Sequence, residues 1–192
     1  EADDVIATLA HWFSEEGYRV TIATGDKDLA QLIDDQVSLV DTMKDRVLNE
    51  KTVVDQFGVR ADQIVDYLTL IGDSSDNIPG IPKVGPKTAV KWLTQYGSLQ
   101  GVLDHQHEIK GKVGESFRAH QDQIPWVKTL ITLNRSVALS ANPEQLVVQD
   151  IDHQSLQGWY RSLNFKKWSE EGAEGRPVLS STAIVNASES KT

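Results

Sequence analysis

The first fifty residues alternate between helix-like and strand-like spacing of apolar side chains. Apolar residues recur every three or four positions over residues 2–13, which predicts an amphipathic helix. Residues 18–24 form an apolar run bounded by glycines, as is typical of a buried strand, and residues 26–33 follow as a predicted helix. Residues 37–42 predict a second strand, and residues 43–48 a polar turn with a short returning strand. This strand-helix-strand order predicts a parallel sheet in an α/β layer.

From residue 49 onward the apolar spacing is helical, which places the second half of the chain in an all-helical regime. The predicted helices cover residues 49–57, 61–71, 86–96, 98–104, 114–133 with a break near Pro125, and 153–163. From about Glu170 the composition turns to Ser, Glu, Ala and Gly, which is typical of a linker. We therefore expect three parts, at residues 1–72, 73–168 and 169–192.

The composition narrows the class of protein. The chain has 192 residues and a net charge of -9. It contains no cysteine, and this excludes a disulfide framework and a thiolate metal site. No apolar run approaches the roughly 18 residues of a membrane span. The only methionine is Met43, and the two or three predicted strands fall short of the usual five or so. These features predict a piece of a longer protein, with further strands upstream of Glu1.

Three acidic clusters stand at the ends of predicted elements. Their members are Glu1, Asp3 and Asp4, then Asp26 and Asp28, then Asp73 and Asp76. Clustered carboxylates without histidine or cysteine suit a hard cation such as Mg²⁺, and ligand sites of open α/β sheets lie at the carboxyl ends of strands. The spacing of Asp73 and Asp76 predicts that both lie on one face of a helical turn. Together the clusters favour a two-metal phosphodiesterase.

Two of these assignments leave alternatives open. Asp26 could be a helix cap without any metal, because aspartate is a favoured capping residue. Lys27, between two candidate ligands, could contact a phosphate, neutralise charge or be an ordinary surface lysine.

A glycine- and lysine-rich run follows the third cluster. Gly80 and Gly85 could adopt positive φ and let a phosphate approach the main chain, and a helix starting at Pro86 would present N–H groups to an anion. Lys83, Lys87 and Lys91 recur every four residues, which predicts one basic stripe. Residues 77–100 contain no acid, so this acidic chain has a local basic surface typical of nucleic-acid binding. The alternative is a loop between helices with solvated lysines.

Other kinds of chemistry have little support. The five histidines lack metal-ligand spacing; they are His11, His105, His107, His120 and His153. The five tryptophans mostly occupy apolar helical positions, which predicts core packing rather than base stacking. The sequence contains neither a Ser-His-Asp order nor a P-loop, so acyl transfer and nucleoside triphosphate hydrolysis have no support.

The ordered motifs resemble a known family. They are Glu1-Ala2-Asp3-Asp4, residues 24–32 (TGDKDLAQL), residues 72–80 (GDSSDNIPG) and residues 84–89 (VGPKTA). In this order and spacing they are similar to the 5′-nuclease domain of bacterial DNA polymerase I, the bacterial branch of the flap endonuclease family. The resemblance extends from Glu1 to about Trp168.

The resemblance implies a PIN-like α/β nuclease core with a helix-hairpin-helix subdomain that grips duplex DNA. It implies hydrolysis of 5′ flaps and nicked duplexes with Mg²⁺ or Mn²⁺ at two sites, a possible K⁺ at the hairpin carbonyls, and a monomer of the bacterial cytoplasm. The catalytic residues would be Asp26, Lys27 and Asp28. Glu1, Asp3 and Asp4 would serve one metal, and Asp26, Asp28, Asp73 and Asp76 the other. The DNA contacts would be Gly80, Lys83, Gly85, Lys87, Thr88 and Lys91.

The chain departs from the family in two respects. Lys83 stands where relatives commonly have glycine. The family also places two further metal-binding aspartates and a basic helical arch upstream of the position of Glu1, so this chain alone is expected to be weakly active or inactive. The rival hypothesis is a non-catalytic duplex-binding module, in which the hairpin binds DNA and the carboxylates only cap helices.

Overall fold

A computed structural model describes residues 1–140, 142 and 145–171, without the side chains of residues 170 and 171. By its internal contacts the chain forms two compact units, Glu1–Ala141 and Asn142–Thr192. Each unit is considered by itself. The boundary predicted at residue 72 lies inside the first unit and stays a prediction.

The first unit begins with an α/β layer. Helix α1 (Ala2–Glu15) leads into strand β1 (Val20–Ala23), which pairs in parallel with β2 (Val37–Asp41). Strand β3 (Arg46–Leu48) returns antiparallel to β2, so the sheet order is β1-β2-β3. Alternate residues of the sheet are buried, among them Ile22, Val37, Leu39 and Leu48. The predicted fold class, a partial parallel sheet followed by helices, is confirmed.

The helix predicted between the two parallel strands is only a short 3-10 helix, Asp28–Leu32. Side chains capture the backbone N–H groups at its start, because Thr24 Oγ1 accepts from the N–H of Asp26 and Asp26 Oδ1 accepts from that of Asp28, both at 3.0 Å. Such local bonds favour turns over a continuous α-helix.

The rest of the first unit is mostly helical. The elements are α2 (Val53–Phe57), a 3-10 turn (Ala61–Gln63), α3 (Ile64–Ile71), β4 (Gly72–Asp73), β5 (Ile78–Pro79), α4 (Pro86–Tyr96), α5 (Leu99–Asp104), α6 (Gly111–His120), a second 3-10 turn (Gln121–Gln123) and α7 (Ile124–Ile131). Strands β4 and β5 form an antiparallel pair. The helical stretch predicted over residues 114–133, with a break near Pro125, is observed as the two helices α6 and α7, because Pro125 lacks an N–H and occupies the first turn of α7.

The helical part packs around aromatic and aliphatic side chains. Trp92 of α4 meets Phe117 of α6 edge to face, with ring centroids 5.3 Å apart, and both are buried. Trp92 confirms the prediction of a core tryptophan. The same prediction is wrong for Trp126, Trp159 and Trp168, whose relative exposures are 48%, 66% and 51%.

The second unit contains α8 (His153–Ser162) and α9 (Lys166–Glu171). Asp152 caps α8, since its Oδ1 accepts from the N–H of Ser155 at 3.0 Å. Helix α9 extends into the segment predicted as a linker, and residues 172–192 of that segment lie outside the described residues. Within the described part of the chain, no helix has the length and apolar character needed to span a membrane.

Candidate metal centre and nucleic-acid interface

Three carboxylates converge beside the carboxyl end of β1. Asp28, Asp73 and Asp76 each place an oxygen atom within 4.8 Å of the other two. Ligand oxygens of one hard cation lie 2.0–2.6 Å from it, so oxygens this close together can share an ion. Asp28 begins the 3-10 helix after β1, whereas Asp73 and Asp76 belong to β4 and the turn that follows it. The structure thus brings together side chains more than forty residues apart.

The second and third clusters also share a pocket. It has a volume of about 440 Å³ and is lined by Gly25, Asp26, Lys27, Asp73, Ser75 and Asp76. Asp26 lines this pocket while one of its oxygens accepts the Asp28 N–H. A capping role and a place at the site are therefore compatible for Asp26.

The turn that carries Asp73 and Asp76 is not helical, so the sequence-based reason for their proximity is wrong. Helix α3 ends at Ile71, because the φ of 75° at Gly72 breaks the helix, and Asp73 lies in a two-residue strand opposite Ile78. Gly72 and Gly80 pack backbone against backbone, and a Cβ on Gly80 would overlap the carbonyl group of Ile71. Gly80 therefore serves a close crossing of two chain segments.

Lys27 is not an ordinary surface lysine. Its Nζ lies 2.7 Å from Asp73 Oδ2, and the Asp73 side chain is only 3% exposed. Burial raises the pKa of Asp73, but the bonds from Lys27 and from the Ser75 N–H outweigh it and hold that pKa below its usual value. The hydrogen bond to Asp73 raises the pKa of Lys27 in turn. Among the alternatives for Lys27, the geometry favours a neutraliser of charge in the pocket.

Asp28 is the most perturbed carboxylate of the cluster. Burial, followed by the negative charges of Asp26 and Asp73, raises its pKa to about 6. Its Oδ1 is buried and has no hydrogen-bond partner in the part of the chain that the structure describes. A buried polar atom without a partner costs free energy, and an oxygen-seeking cation would satisfy it. The donor set, made of oxygens only, fits Mg²⁺ or a similar hard cation.

The first acidic cluster lies at the start of α1. Burial and the negative charges of Asp26, Glu1, Asp4 and Asp76 raise the pKa of Asp3, so Asp3 lies within the field of the site. Asp4 instead directs Oδ1 to the backbone N–H of Asn134, at 2.8 Å. Among the described residues, the group of three close oxygens does not include Glu1, Asp3, Asp4 or Asp26.

The predicted phosphate-binding hairpin has a different backbone from the one expected. Neither Gly80 nor Gly85 has positive φ; within the hairpin that conformation belongs to Lys83, with φ 70°. Gly85 is extended, and a Cβ built on it would meet nothing within 4 Å, so its surroundings are open to a ligand. Helix α4 begins directly after it, as predicted.

The basic stripe is also shorter than predicted. Lys87 and Lys91 are exposed on α4 one turn apart, whereas Lys83 is exposed on the turn before the helix. Thr88 in the first turn is partly exposed. The hairpin carbonyls of Gly80 and Pro82 already accept bonds from Gln123 Nε2, at 3.2 Å, and Ser116 Oγ, at 2.6 Å. A K⁺ ion there would have to share these carbonyls.

Sequence reasoning missed several buried polar residues that hold the site's elements together. Asp66 in α3 accepts from Lys128 Nζ at 2.7 Å and from the Leu99 N–H at 2.8 Å. Gln31, on the 3-10 helix, is buried and bonds to the segment after α7. The one available signal was a polar residue within a run of buried apolar residues, as Gln31 is between Ala30 and Leu32.

Both halves of the chain are similar in sequence to known protein families. Residues 1–58 match the family model for the 5′-3′ exonuclease N-terminal resolvase-like domain, and residues 59–154 match that for the 5′-3′ exonuclease C-terminal SAM fold. DNA polymerase I of Mycobacterium tuberculosis (strain ATCC 25618 / H37Rv) is 39% identical over 170 residues, which are 86% of this chain and 19% of that protein. The 5′-3′ exonuclease of Aquifex aeolicus (strain VF5) is 37% identical over 171 residues, 89% of this chain and 58% of that protein. The chain therefore spans about a fifth of one relative and rather more than half of the other.

Solved structures agree on the fold. A phage T5 5′-exonuclease with bound zinc has a TM-score of 0.64 at 23% identity, over 70% of this chain and 50% of that one. A phage T5 flap endonuclease in a pseudo-enzyme-product complex with DNA and metal ions has a TM-score of 0.65 at 22% identity, with the same coverage. The two family models together cover residues 1–154 without a gap, in the order expected from the sequence motifs. This chain belongs to the 5′-3′ exonuclease family.

Proposed function

We propose that this chain is part of a structure-specific 5′-nuclease that hydrolyses phosphodiester bonds of 5′ flaps and nicked duplex DNA in replication and repair. The observation that carries the proposal is the convergence of Asp28, Asp73 and Asp76 within 4.8 Å, with a buried oxygen of Asp28 that has no hydrogen-bond partner among residues 1–140, 142 and 145–171. Family membership supports the same reaction class.

The metal is proposed to be Mg²⁺ or Mn²⁺, because oxygen ligands suit hard cations. Asp28, Asp73 and Asp76 would hold one ion, with Asp26 on the rim of the same pocket. Glu1, Asp3 and Asp4 are proposed to serve a second ion, and the perturbed pKa of Asp3 supports this for Asp3. When bound, such ions polarise a phosphodiester and lower the pKa of a water.

The chain's own residues would bind and orient the substrate. Lys27 faces the pocket and balances the charge of Asp73, so its ammonium is in position to attract a phosphate. Lys87 and Lys91, with the open backbone at Gly85, would bind phosphates of the duplex, and Lys83 and Thr88 would add contacts at the start of α4. Gly80 would act by shaping the hairpin, since its backbone packs on Ile71 and Gly72. The proposed setting is a monomer in the bacterial cytoplasm, in line with the bacterial relatives.

The test is a single-turnover assay with excess protein, a 5′-flap duplex and Mn²⁺. We expect duplex binding and slow release of the flap strand, with release abolished by Asp73→Asn while binding persists. Duplex binding accompanied by neither metal-dependent cleavage nor binding of divalent metal would instead support the non-catalytic DNA-binding module.

A further inference from the structure

Gln31 ties the backbone of a proposed metal ligand to a distant part of the chain. It lies in the 3-10 helix that begins with Asp28, and its side chain is buried, at 7% exposure. Its Nε2 donates to the carbonyls of Asp28 and Ile131, both at 3.0 Å, and its Oε1 accepts from the Leu133 N–H at 3.0 Å. Both ends of this amide are thus used in bonds to backbone.

The segment of residues 131–137, which we call the strap, also bonds to the start of α1. The Asn134 N–H donates to Asp4 Oδ1 at 2.8 Å. Thr8 Oγ1 donates to the Asn134 carbonyl at 3.2 Å and accepts from the Val137 N–H at 3.1 Å. The strap therefore connects two of the three acid-bearing elements.

The strap continues from a helix that is fixed to the third acid-bearing element. Lys128 of α7 bonds to Asp66 of α3 at 2.7 Å, and α3 leads directly into β4 and Asp73. Arg135 adds a bond from Nη2 to the Gln31 carbonyl at 2.9 Å. A displacement of the strap would therefore change the placement of Asp28 relative to Asp73.

We propose that Gln31 is a positioning residue for the metal site, acting through Asp28. Among the described residues, Asp28 Oδ1 has no hydrogen-bond partner that could aim it, so the direction of the carboxylate depends on where the backbone of Asp28 is held. Asp26 holds the N–H of Asp28, and Gln31 holds its carbonyl by joining it to the strap. Groups that orient metal ligands typically affect metal affinity by 10–100-fold. This inference rests on the proposed function for its metal, but not for its geometry.

A second buried glutamine is a matched control. Gln63 is 6% exposed, its Nε2 donates to the carbonyls of Leu93 and Gly97, and its Oε1 accepts from the Arg60 N–H. It therefore makes the same set of bonds as Gln31, but at the N-terminal end of α3, opposite the end that leads to Asp73. Gln31→Met and Gln63→Met should both lower the Tm. Only Gln31→Met should weaken Mn²⁺ binding, by about tenfold, as measured by electron paramagnetic resonance of free Mn²⁺.

A second variant and a metal-free measurement keep the inference testable. Arg135→Met leaves the Gln31 side chain intact and should also weaken Mn²⁺ binding, although the loss of a positive charge alone would strengthen it. Without metal, the carboxyl ¹³C shift of Asp28 should move in Gln31→Met and stay unchanged in Gln63→Met. If wild-type protein binds no Mn²⁺, the proposed metal function fails, and this ¹³C shift still decides the positioning role. An unchanged Asp28 shift, or equal Mn²⁺ affinities for wild type and Gln31→Met, would overturn it.

Discussion

The ammonium of Lys27 lies 2.7 Å from Asp73 Oδ2 and compensates a carboxylate that is almost fully buried. The pair joins the loop after β1 to strand β4, so it links the two chain segments that carry the metal-site carboxylates. A positive charge of the protein thus sits where a bound cation would also interact with Asp73. The two charges are expected to be partly interchangeable in their effect on stability.

The first prediction concerns this pair. Lys27→Met should destabilise the metal-free protein by about 1–2 kcal/mol, because a buried carboxylate loses its charged partner while Lys27 itself is partly solvated. Saturating Mn²⁺ should recover most of the loss, since a bound cation supplies the missing charge. Chemical unfolding with and without Mn²⁺ measures both effects.

Lys44→Met is the control for that prediction. Lys44 pairs with buried Asp41, which keeps Arg46 nearby and a bond from the Met43 N–H. Its loss should cost less, and Mn²⁺ should not restore it. If Mn²⁺ restores the stability of both variants to the same extent, Lys27 is not part of the metal site.

The second prediction concerns pH. The pKa of Asp28 rises from 3.8 to about 6 in the folded protein, so the folded state retains a proton that the unfolded chain releases between these values. The contribution of Asp28 to the free energy of unfolding therefore falls as the pH rises from about 4 to 6, and it does not recover at higher pH. A shift of about two pKa units corresponds to a loss of about 3 kcal/mol in the free energy of unfolding. Solvent screening of the partly exposed Asp28 reduces this loss to about 2 kcal/mol.

Asp28→Asn removes this ionisation. Without metal, the variant should be more stable than wild type at pH 7.5 by about 2 kcal/mol, while the difference should vanish near pH 4. Mn²⁺ should raise the Tm of wild type far more than that of Asp28→Asn. Urea unfolding across the pH range measures this difference. If the metal-free wild type instead becomes more stable relative to Asp28→Asn as the pH rises, the raised pKa assigned to Asp28 is contradicted.

The third prediction uses the hairpin backbone. Lys83 has φ 70°, a conformation that costs an L residue about 1 kcal/mol and glycine almost nothing. Lys83→Gly should therefore stabilise the fold by about 0.5–1 kcal/mol, despite the entropy that glycine adds to the unfolded chain. Lys91→Gly removes the same charge from the middle of α4 and should destabilise by about 1 kcal/mol. Thermal unfolding of the two variants should give shifts of opposite sign.

The fourth prediction concerns DNA. Lys87→Ala should weaken binding to every duplex sequence to a similar extent and reduce the slope of log K against log salt by about one unit. Lys51→Ala removes an exposed lysine outside the hairpin and should leave the slope unchanged. Fluorescence anisotropy at several salt concentrations tests this. A loss confined to one sequence would exclude α4 as a phosphate-binding surface.

The sequence predicted the element types well where apolar periodicity was long. The helix over residues 86–96 was placed at its observed bounds, because Pro86 and Gly97 mark its ends in the sequence. The 3-10 helix after β1 was overextended, because Thr24 and Asp26 form local bonds that apolar periodicity does not reveal. Apolar periodicity along the chain carries no information on whether side-chain bonds to the backbone replace the backbone bonds of an α-helix.

At the site, the acidic residues could be found from their positions at element ends, but not their geometry. Asp73 and Asp76 approach Asp28 through a two-strand turn rather than a helical turn, and this depends on the close crossing of Gly72 and Gly80. The ion pair of Lys27 with Asp73 and the bonds of Gln31 join residues 46 and about 100 positions apart. Contacts of this kind arise from tertiary packing, which a single sequence does not encode in any local pattern.

Asp28, Asp73 and Asp76 are proposed to form a divalent-metal site, and Mn²⁺ titration by isothermal calorimetry measures its affinity. Wild-type protein should bind Mn²⁺, Asp76→Asn should bind at least tenfold more weakly, and Asp55→Asn, at an exposed position of α2, should bind like wild type. Mn²⁺ affinity that is unaffected by Asp76→Asn, or no binding by the wild type, would contradict the account.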